Sequence, residues 1–389
     1  MSQDVEEIIE GSTSMLYEKS EAVFYNKVQV LNRDISIQTI RLFSERLQEE
    51  RQSRYQLKLQ RYQEHPGDKP PFPPPQGIHI LDALAATGLR SIRYLKEVPL
   101  VRHVTINDLE PAATNKAIEN VKRNQVDTSK VSIHNGDAAL FMYHHREPLE
   151  QFDVIDIDPY GSASPFLDAA VQAVTDGGLL CVTCTDMTVL SGNFPEVCFA
   201  KYGATPIKAR YTHEMALRIL LHSIDSAANR YKRFIQPWVS MSIDFYVRVF
   251  VRVHERPAEV KRSCLKTAYV LQSSQCPSYW IQPIGIQKKQ NFAPSPFVCP
   301  SVCEETGGKL IIGGPIWSDA IHDQDVVDTL LTRVSKVDQG IYDDTTPCPI
   351  PTVKRLRGLL MSMSEELKDV PLFFYLPDLV IPYRGIALP

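Results

Sequence analysis

A short loop, Asp158-Pro159-Tyr160-Gly161, carries the residue types best suited to chemistry on a nucleobase. An exocyclic base amine is a poor nucleophile because its lone pair is delocalised, so it needs acceptors aimed at its N–H groups. Asp158 supplies a carboxylate, Pro159 holds the turn rigid, and Tyr160 offers a ring on which a base can stack. These are also ordinary turn residues. The position of the loop, directly after the apolar run Phe152–Ile157, favours methyl transfer to a base amine.

The turn within Asp82–Arg93 is the candidate cofactor loop. Ligands of open α/β sheets bind beyond the carboxyl ends of the strands, where small residues let a cofactor approach the backbone. A dinucleotide site needs G-x-G-x-x-G to seat a pyrophosphate, and only Gly88 is present. The turn therefore argues against a dinucleotide. A plain tight turn remains the alternative to a loop that binds S-adenosylmethionine.

Acidic residues are found at the ends of three successive predicted strands: Asp82, Asp108 and Asp137. Asp108 has the spacing of a carboxylate that binds the two hydroxyls of a ribose. Asp137 is placed to accept a hydrogen bond from an adenine amine. Both also suit the cap of the following helix, and the two roles are compatible.

Strands and helices must alternate to bring these residues together, and the pattern predicts that they do. The predicted strands are Ile78–Ala83, Val101–Asn107, Val131–Asn135, Phe152–Ile157 and Gly178–Thr183. The predicted helices between them are Gly88–Glu97, Pro111–Asn124, Ala138–His145 and Ser164–Thr175. The fold class is therefore α/β, a Rossmann-like doubly wound sheet of the class I methyltransferase type. A helix at Thr212–Tyr231 precedes two further strands that close the sheet on one edge.

The length of 389 residues suggests more than one domain. Residues 1–76 are predicted to form an N-terminal segment with a long, largely solvated helix, Ile35–Glu64, and a Pro-rich connector, His65–Gln76. Residues 77–255 form the catalytic domain. Residues 256–389 form a smaller, irregular C-terminal α+β domain.

Composition restricts the partners. The formal net charge is -4, so any nucleic acid must be held by local basic clusters such as Lys201, Lys208 and Arg210. The sequence contains no run of about 18 apolar residues, the length that a membrane-spanning helix needs. The eight cysteines are read as reduced thiols of an intracellular protein.

Longer stretches resemble the tRNA guanosine-26 N2-dimethyltransferase family, and the details are similar to its eukaryotic members. The resemblance runs from about Glu10 to about Leu376. The stretches that carry it are Val23–Ile37, Ala83–Tyr94, Asp153–Val174, Gly177–Asn193, His213–Ser223, Ser242–Val253 and Gly313–Trp317.

The resemblance implies that methyl groups pass from S-adenosylmethionine to N2 of guanosine 26, giving N2-methyl- and N2,N2-dimethylguanosine. Arg33 and Arg90 would contact the cofactor, and Ala138 would join Asp137 at the adenine. Asp158 would be the catalytic acceptor. Without the resemblance, Asn32-Arg33-Asp34 is read as a helix start capped by Asp34.

Two departures from the family pattern stand out. A four-thiolate zinc site in the later half is reduced here to Cys276, Cys299 and Cys303, with Ser273 at the fourth position. An eroded site with free thiols is favoured over structural zinc. The C-terminal domain that helps to grip tRNA is expected to be truncated.

Two alternative functions stay open. One is a catalytically weakened protein that binds or folds tRNA. The other is an amino-methyltransferase that acts on another RNA or on a DNA base. No obligate protein partner is indicated. The expected location is the nucleus or cytoplasm, with the mitochondrion for a longer isoform.

Overall fold

The computed structural model describes residues 5–18, 25–65, 70–289, 291–344 and 349–380. The strands are β1 (Val5–Glu10), β2 (Thr13–Glu18), β3 (Ile78–Asp82), β4 (Val101–Asp108), β5 (Val131–Asn135), β6 (Phe152–Ile157), β7 (Val174–Cys184), β8 (Arg233–Ile243), β9 (Tyr246–Glu255), β10 (Thr267–Ser273), β11 (Tyr279–Pro283), β12 (Gly285–Lys288), β13 (Asn291–Pro294) and β14 (Leu310–Trp317). The helices are α1 (Val30–Glu64), α2 (Leu89–Glu97), α3 (Pro111–Arg123), α4 (Ala138–His144), α5 (Ser164–Ala173), α6 (Met187–Leu190), α7 (Pro195–Tyr202), α8 (Thr212–Asn229), α9 (Pro257–Val260), α10 (Gln324–Asp338), α11 (Val353–Glu365) and α12 (Leu376–Val380).

The chain divides into two compact units. The first unit reaches Asp158 and also contains Ala173–Cys181 and Asp325–Glu365. The second contains Pro159–Gln172, Val182–Gln324 and the residues from Glu366 onward. Both units are discontinuous in sequence, so each is completed by segments that lie far apart along the chain. The predicted domain limits at 76 and 255 follow a different division and stay predictions.

The first unit is built on parallel strands. β3 pairs with β4 on one side and with β6 on the other, and β5 pairs with β4. The strand order of the sheet within this unit is β5-β4-β3-β6-β7, and β8 pairs with β9 in the second unit. All six residues of β6 are buried, as expected for a strand covered on both faces. Because the strand order reverses next to β3, the carboxyl ends of β3 and β6 border the crevice in which such sheets bind ligands.

The predicted strands and helices of this sheet are confirmed to within a few residues, but the N-terminal segment differs. The long helix begins at Val30, so Asp34 lies inside it and does not cap it. Residues 31–44 are buried, so the prediction of a largely solvated helix is wrong for its first half. The antiparallel hairpin of β1 and β2 was not predicted. The polar residues of early α1 are buried because they have charged partners on other elements.

Arg93 lies at the centre of these buried charges. Its side chain is 1% exposed, and its guanidinium bonds the carboxylates of Glu10 at 2.8 Å, Asp34 at 2.8 Å and Glu97 at 2.9 Å. Burial disfavours its charge, but the three carboxylates outweigh burial and raise its pKa. Burial also opposes the charge of Glu10, yet Arg33 and Arg93 hold the pKa of Glu10 below its usual value. Arg93 therefore ties the N-terminal hairpin and α1 to α2.

Two late helices complete the first unit by packing on α1. The Asp34 carboxylate accepts hydrogen bonds from the backbone N–H of Thr352 at 2.8 Å and from its hydroxyl at 2.6 Å. These bonds hold the start of α11. Arg333 of α10 bonds Glu45 of α1 at 2.6 Å. The charged residues of α1 therefore serve as docking points for the segment Asp325–Glu365.

The second unit is organised around α8, which packs on β8 and β14. Arg218 on this helix donates to the carbonyls of Trp317 at 3.0 Å and Asp319 at 2.9 Å. A three-stranded antiparallel sheet has the order β11-β10-β14, and β12 pairs with β13. The segment predicted to be irregular thus contains short strands. No helix in the described part of the chain is long and apolar enough to cross a membrane.

We predict that Arg93→Ala lowers the free energy of unfolding by about 3–5 kcal/mol, because it leaves the buried carboxylates of Asp34 and Glu97 without their cation and removes one of the two cations of Glu10. Urea denaturation followed by circular dichroism measures the change. Arg54→Ala is the matched control, since Arg54 is an exposed arginine that pairs with Glu50 at 3.5 Å. The control should change stability by less than about 1 kcal/mol. A loss no larger for Arg93→Ala than for Arg54→Ala would contradict the role of the cluster.

Candidate active site

The turn after β3 is fixed by backbone contacts. The N–H of Ala83 donates to the carbonyl of Asp156 at 3.0 Å, and the N–H of Ala85 donates to the carbonyl of Asn107 at 2.9 Å. Gly88 has φ +72°, and a Cβ placed there would lie 3.0 Å from the Cβ of Ala117. Glycine is therefore required by both backbone conformation and the close approach of α3. The single predicted glycine of the turn has a structural reason.

Asp108, at the end of β4, holds this turn in place. One carboxylate oxygen accepts from the N–H of Ala86 at 2.8 Å and the other from the N–H of Glu110 at 3.0 Å. Each oxygen of a carboxylate accepts more than one hydrogen bond. Asp108 is half-buried and so retains acceptor capacity. Asp108 does not cap α3, because the N-cap residue of that helix is Glu110 and no side chain caps it. Ribose binding by Asp108 stays a prediction.

Asp137, after β5, caps α4 by accepting from the N–H of Leu140 at 2.7 Å. Its side chain is exposed, while the next residue, Ala138, is buried. The helix cap that was one of the two predicted roles of Asp137 is therefore confirmed. Contact of Asp137 and Ala138 with an adenine stays a prediction. Since β3, β4 and β5 are parallel neighbours, Asp82, Asp108 and Asp137 end at one edge of the sheet.

Asp82 lies deeper than the other two acids. It is 1% exposed, and it accepts a hydrogen bond from the hydroxyl of Ser91 at 2.7 Å. Burial, together with the nearby charge of Asp156, raises the pKa of Asp82 to about 7. A carboxyl with this pKa carries a proton for part of the time at neutral pH. Asp82 therefore supports the turn from its buried side, through its hydrogen bond with Ser91 at the start of α2.

Arg90 makes the central contact of the site. One of its guanidinium nitrogens donates to Asp156 at 3.2 Å, and the other donates to Asp158. The first nitrogen also lies 3.1 Å from the side-chain oxygen of Asn32 and 3.2 Å from the hydroxyl of Ser36. Burial disfavours the charge on Arg90, but Asp156 and Asp158 outweigh it and hold its pKa well above the ordinary value. Arg90 thus fixes the carboxylate of Asp158 at the end of β6.

Asp156 and Tyr94 were not identified from the sequence. Tyr94 donates its hydroxyl hydrogen to Asp156, which is fully buried. A signal was present, because Asp156 stands two residues before Asp158 on a strand. Alternate residues of a strand point to the same side. An acidic pair at this spacing predicts a shared cation, which proves to be Arg90.

Pro159, Tyr160 and Gly161 follow Asp158 in the chain and begin the second unit. Pro159 is buried, whereas Tyr160 is 84% exposed. Gly161 has φ +84°. Its N–H donates to the Thr185 hydroxyl at 2.6 Å, and its carbonyl accepts from the Thr185 N–H at 2.8 Å. The loop is therefore held at Gly161 and presents the ring of Tyr160 to solvent.

Arg33 lies in the first unit, where its guanidinium is bound by an acidic side chain. Its guanidinium pairs with both oxygens of Glu10, at 2.6 and 2.5 Å, and lies 5.5 Å from the ring centre of Tyr25. This bidentate pair is the geometry that a cofactor carboxylate would also adopt. The predicted contact of Arg33 with the cofactor stays a prediction.

The three cysteines of the predicted metal set are not gathered as a ligand group. The sulfurs of Cys276 and Cys303 lie 3.5 Å apart, and Cys299 is half-buried. Hydrogen bonds from Ser273 and Thr306 lower the pKa of the Cys303 thiol to about 6. Within the described residues, no three or more His, Cys, Asp or Glu side chains are arranged to hold a metal ion. This arrangement does not fit a closed four-ligand zinc site, so zinc stays a prediction.

Comparison with known proteins places this site in context. The family model described as N2,N2-dimethylguanosine tRNA methyltransferase matches residues 4–382. The Drosophila melanogaster tRNA (guanine(26)-N(2))-dimethyltransferase is 42% identical over 92% of this chain and 64% of its own length. The Homo sapiens protein of the same name is 41% identical over 96% of this chain and 60% of its own length. The chain thus spans slightly under two thirds of these relatives.

A solved structure confirms the predicted fold class. The Trm1 protein of Pyrococcus horikoshii, solved as a complex with S-adenosyl-L-methionine, superposes with a TM-score of 0.74. It is 24% identical and covers 97% of this chain and 87% of its own. The fold is a class I methyltransferase sheet with an additional C-terminal part. From the extent of the family match and the identity to these relatives, the chain belongs to the N2,N2-dimethylguanosine tRNA methyltransferase family.

Proposed function

We propose that this chain transfers methyl groups from S-adenosylmethionine to N2 of guanosine 26 in tRNA, giving N2-methyl- and N2,N2-dimethylguanosine. The observation that carries the proposal is the position of Asp158, directly after β6 and bonded by Arg90. Its side chain is 17% exposed, so a substrate can still reach it. Membership of the family and the names of the relatives support the same reaction.

The cofactor site that we propose uses residues of the first unit. Asp108 retains acceptor capacity for ribose hydroxyls, and Asp137 with Ala138 suits an adenine. The tight turn at Gly88, with Asp82 beneath it, allows close approach to the backbone. Arg33 would receive the methionine carboxylate in competition with Glu10. When bound, S-adenosylmethionine supplies a methyl group carried on a sulfonium.

The residues after β6 would act on the guanosine. Asp158 accepts a hydrogen bond from an N2–H and takes up the proton that the amine loses, directly or through water. Tyr160 stacks on the base, which a structured RNA must turn out of its helix. The contacts of Arg90 support a positioning role towards Asp158 in place of the cofactor contact implied by the resemblance. Pro159 keeps the loop rigid.

The remaining assignments are proposals of the same kind. We assign catalysis to residues 77–255 and tRNA contact to residues 256–389. An intracellular location is supported by the seven described cysteines, which are all free. The partner is tRNA, and no described feature calls for an obligate protein partner.

We predict that an unmodified tRNA transcript with guanosine at position 26, incubated with the protein and S-adenosylmethionine, gains N2-methyl- and N2,N2-dimethylguanosine. Mass spectrometry of the digested nucleosides measures the base and the number of methyl groups. A transcript with adenosine at position 26 is the control and should gain neither nucleoside. Formation of N6-methyladenosine would support the alternative substrate class. Cofactor binding without transfer would support the RNA-binding alternative.

We predict that Asp158→Ala and Asp158→Asn lower kcat by about 10²-fold or more, since neither side chain takes up the proton. The dissociation constant for S-adenosylmethionine, measured by calorimetry, should stay within about twofold. Asp158→Asn retains an oxygen for Arg90, which separates the loss of the base from a displaced loop. Asp127→Ala, at an exposed turn, is the control. Activity retained by either Asp158 variant would show that another group is the acceptor.

A further inference from the structure

A wide groove lies wholly within the second unit. It has a volume of about 1150 Å³. Pockets for single small molecules usually measure about 300–1,000 Å³, so this groove is larger than one such ligand requires. Its walls come from the segment Lys208–His213, the hairpin residue Phe245, the segment Gln272–Pro277 and the segment Phe373–Asp378.

Three aromatic side chains of the groove each contact a neighbouring side chain and are also partly exposed. Phe245 packs edge-on against Tyr246 with 5.6 Å between ring centres. Phe374 stacks on Tyr279 at 4.7 Å, and Tyr375 lies 4.9 Å from the guanidinium carbon of Arg210. Phe245, Phe374 and Tyr375 are each between 41% and 48% exposed. Rings held in this way are preformed surfaces on which flat ligands stack.

Cations stand beside these rings. Lys208 and Arg210 line one wall, and acidic Asp244 and Asp378 also line the groove. Arg210 pairs with Asp378 at 2.8 Å, but its side chain is 64% exposed. An exposed ion pair contributes little stability, so a phosphate can replace the carboxylate at low cost. Aromatic surfaces interleaved with cations are the pattern of sites for single-stranded nucleic acid.

The groove also adjoins the catalytic loop within the second unit. Thr185 makes both hydrogen bonds to Gly161 of that loop. Met187 and Thr188, which follow closely in the chain, line the groove. The groove is therefore within reach of the nucleotides next to a base that stacks on Tyr160.

We propose that this groove binds unstacked nucleotides of tRNA next to the target guanosine. The inference rests on the proposed function, because it supplies the binding surface for that substrate. Turning a base out of a helix breaks its stacking with its neighbours. The rings of the groove replace that stacking, and its cations contact the phosphates.

The test measures binding of tRNA, of a short single-stranded RNA and of a duplex of the same sequence by the full chain. Phe245→Ala should weaken binding of tRNA and of the single strand by about 5- to 100-fold. Phe245→Trp should restore it, and Tyr375→Ala is a second variant at another wall. Lys208→Ala should lower the slope of log K against log salt by about one. Duplex binding should change by less than about twofold.

Phe199→Ala and Lys232→Ala are matched controls, since both change exposed residues of the second unit that lie outside the groove and outside residues 256–389. Thermal unfolding confirms that each variant is folded. In methyl transfer, the groove variants should raise KM for tRNA while the dissociation constant for S-adenosylmethionine is unchanged.

Three outcomes overturn the inference in distinguishable ways. If the wild-type chain methylates tRNA but the groove variants bind RNA within twofold of wild type, the groove is not the RNA surface and the proposed function stands. Equal losses for duplex and single strand also exclude unstacked nucleotides as the occupant. If the wild-type chain neither binds nor methylates tRNA, the proposed function and the groove inference both fail.

Discussion

The architecture of the first unit depends on the buried charges of one short helix, α2. Arg90 faces Asp156 and Asp158, while Arg93 faces Glu10, Asp34 and Glu97. Removing such charges from water costs several kcal/mol per ion unless the partners are complete. The N-terminal hairpin, α1, β6 and the catalytic loop must therefore all be in place around α2. The position of the candidate base is part of the same electrostatic constraint that holds the core.

Much of the sheet could be predicted from the sequence because parallel strands are apolar runs with clear ends. The segment Phe152–Ile157 and the turn at Gly88 are examples. The hairpin of β1 and β2 could not be predicted, since what fixes it is Arg93, more than 80 residues away. The burial of early α1 was missed for a similar reason. Its Asn, Arg and Asp residues are of types that usually lie at the surface. Here they are buried because they form hydrogen bonds and ion pairs with residues far away in the sequence.

The candidate site divides along the same line. Asp158, Asp108 and Gly88 were identified because each lies at or just after the end of a strand. The end of an apolar strand can be recognised in the sequence alone. Asp156, the second acidic partner of Arg90, was not identified, because its pairing with Arg90 depends on which strands are neighbours in the sheet. The cysteines show the opposite case. Their spacing suggested three candidate ligands, whereas the described side chains form no metal-binding group of three. The sulfurs of Cys276 and Cys303 do lie 3.5 Å apart.

The bond between Asp34 and Thr352 has a consequence for synthesis of the chain. The two residues are 318 positions apart. On a ribosome that adds about 5–20 residues per second, Asp34 waits tens of seconds for this partner. During that time the surface of α1 that receives α10 and α11 is uncovered. The first unit therefore completes its fold only after most of the second unit has emerged.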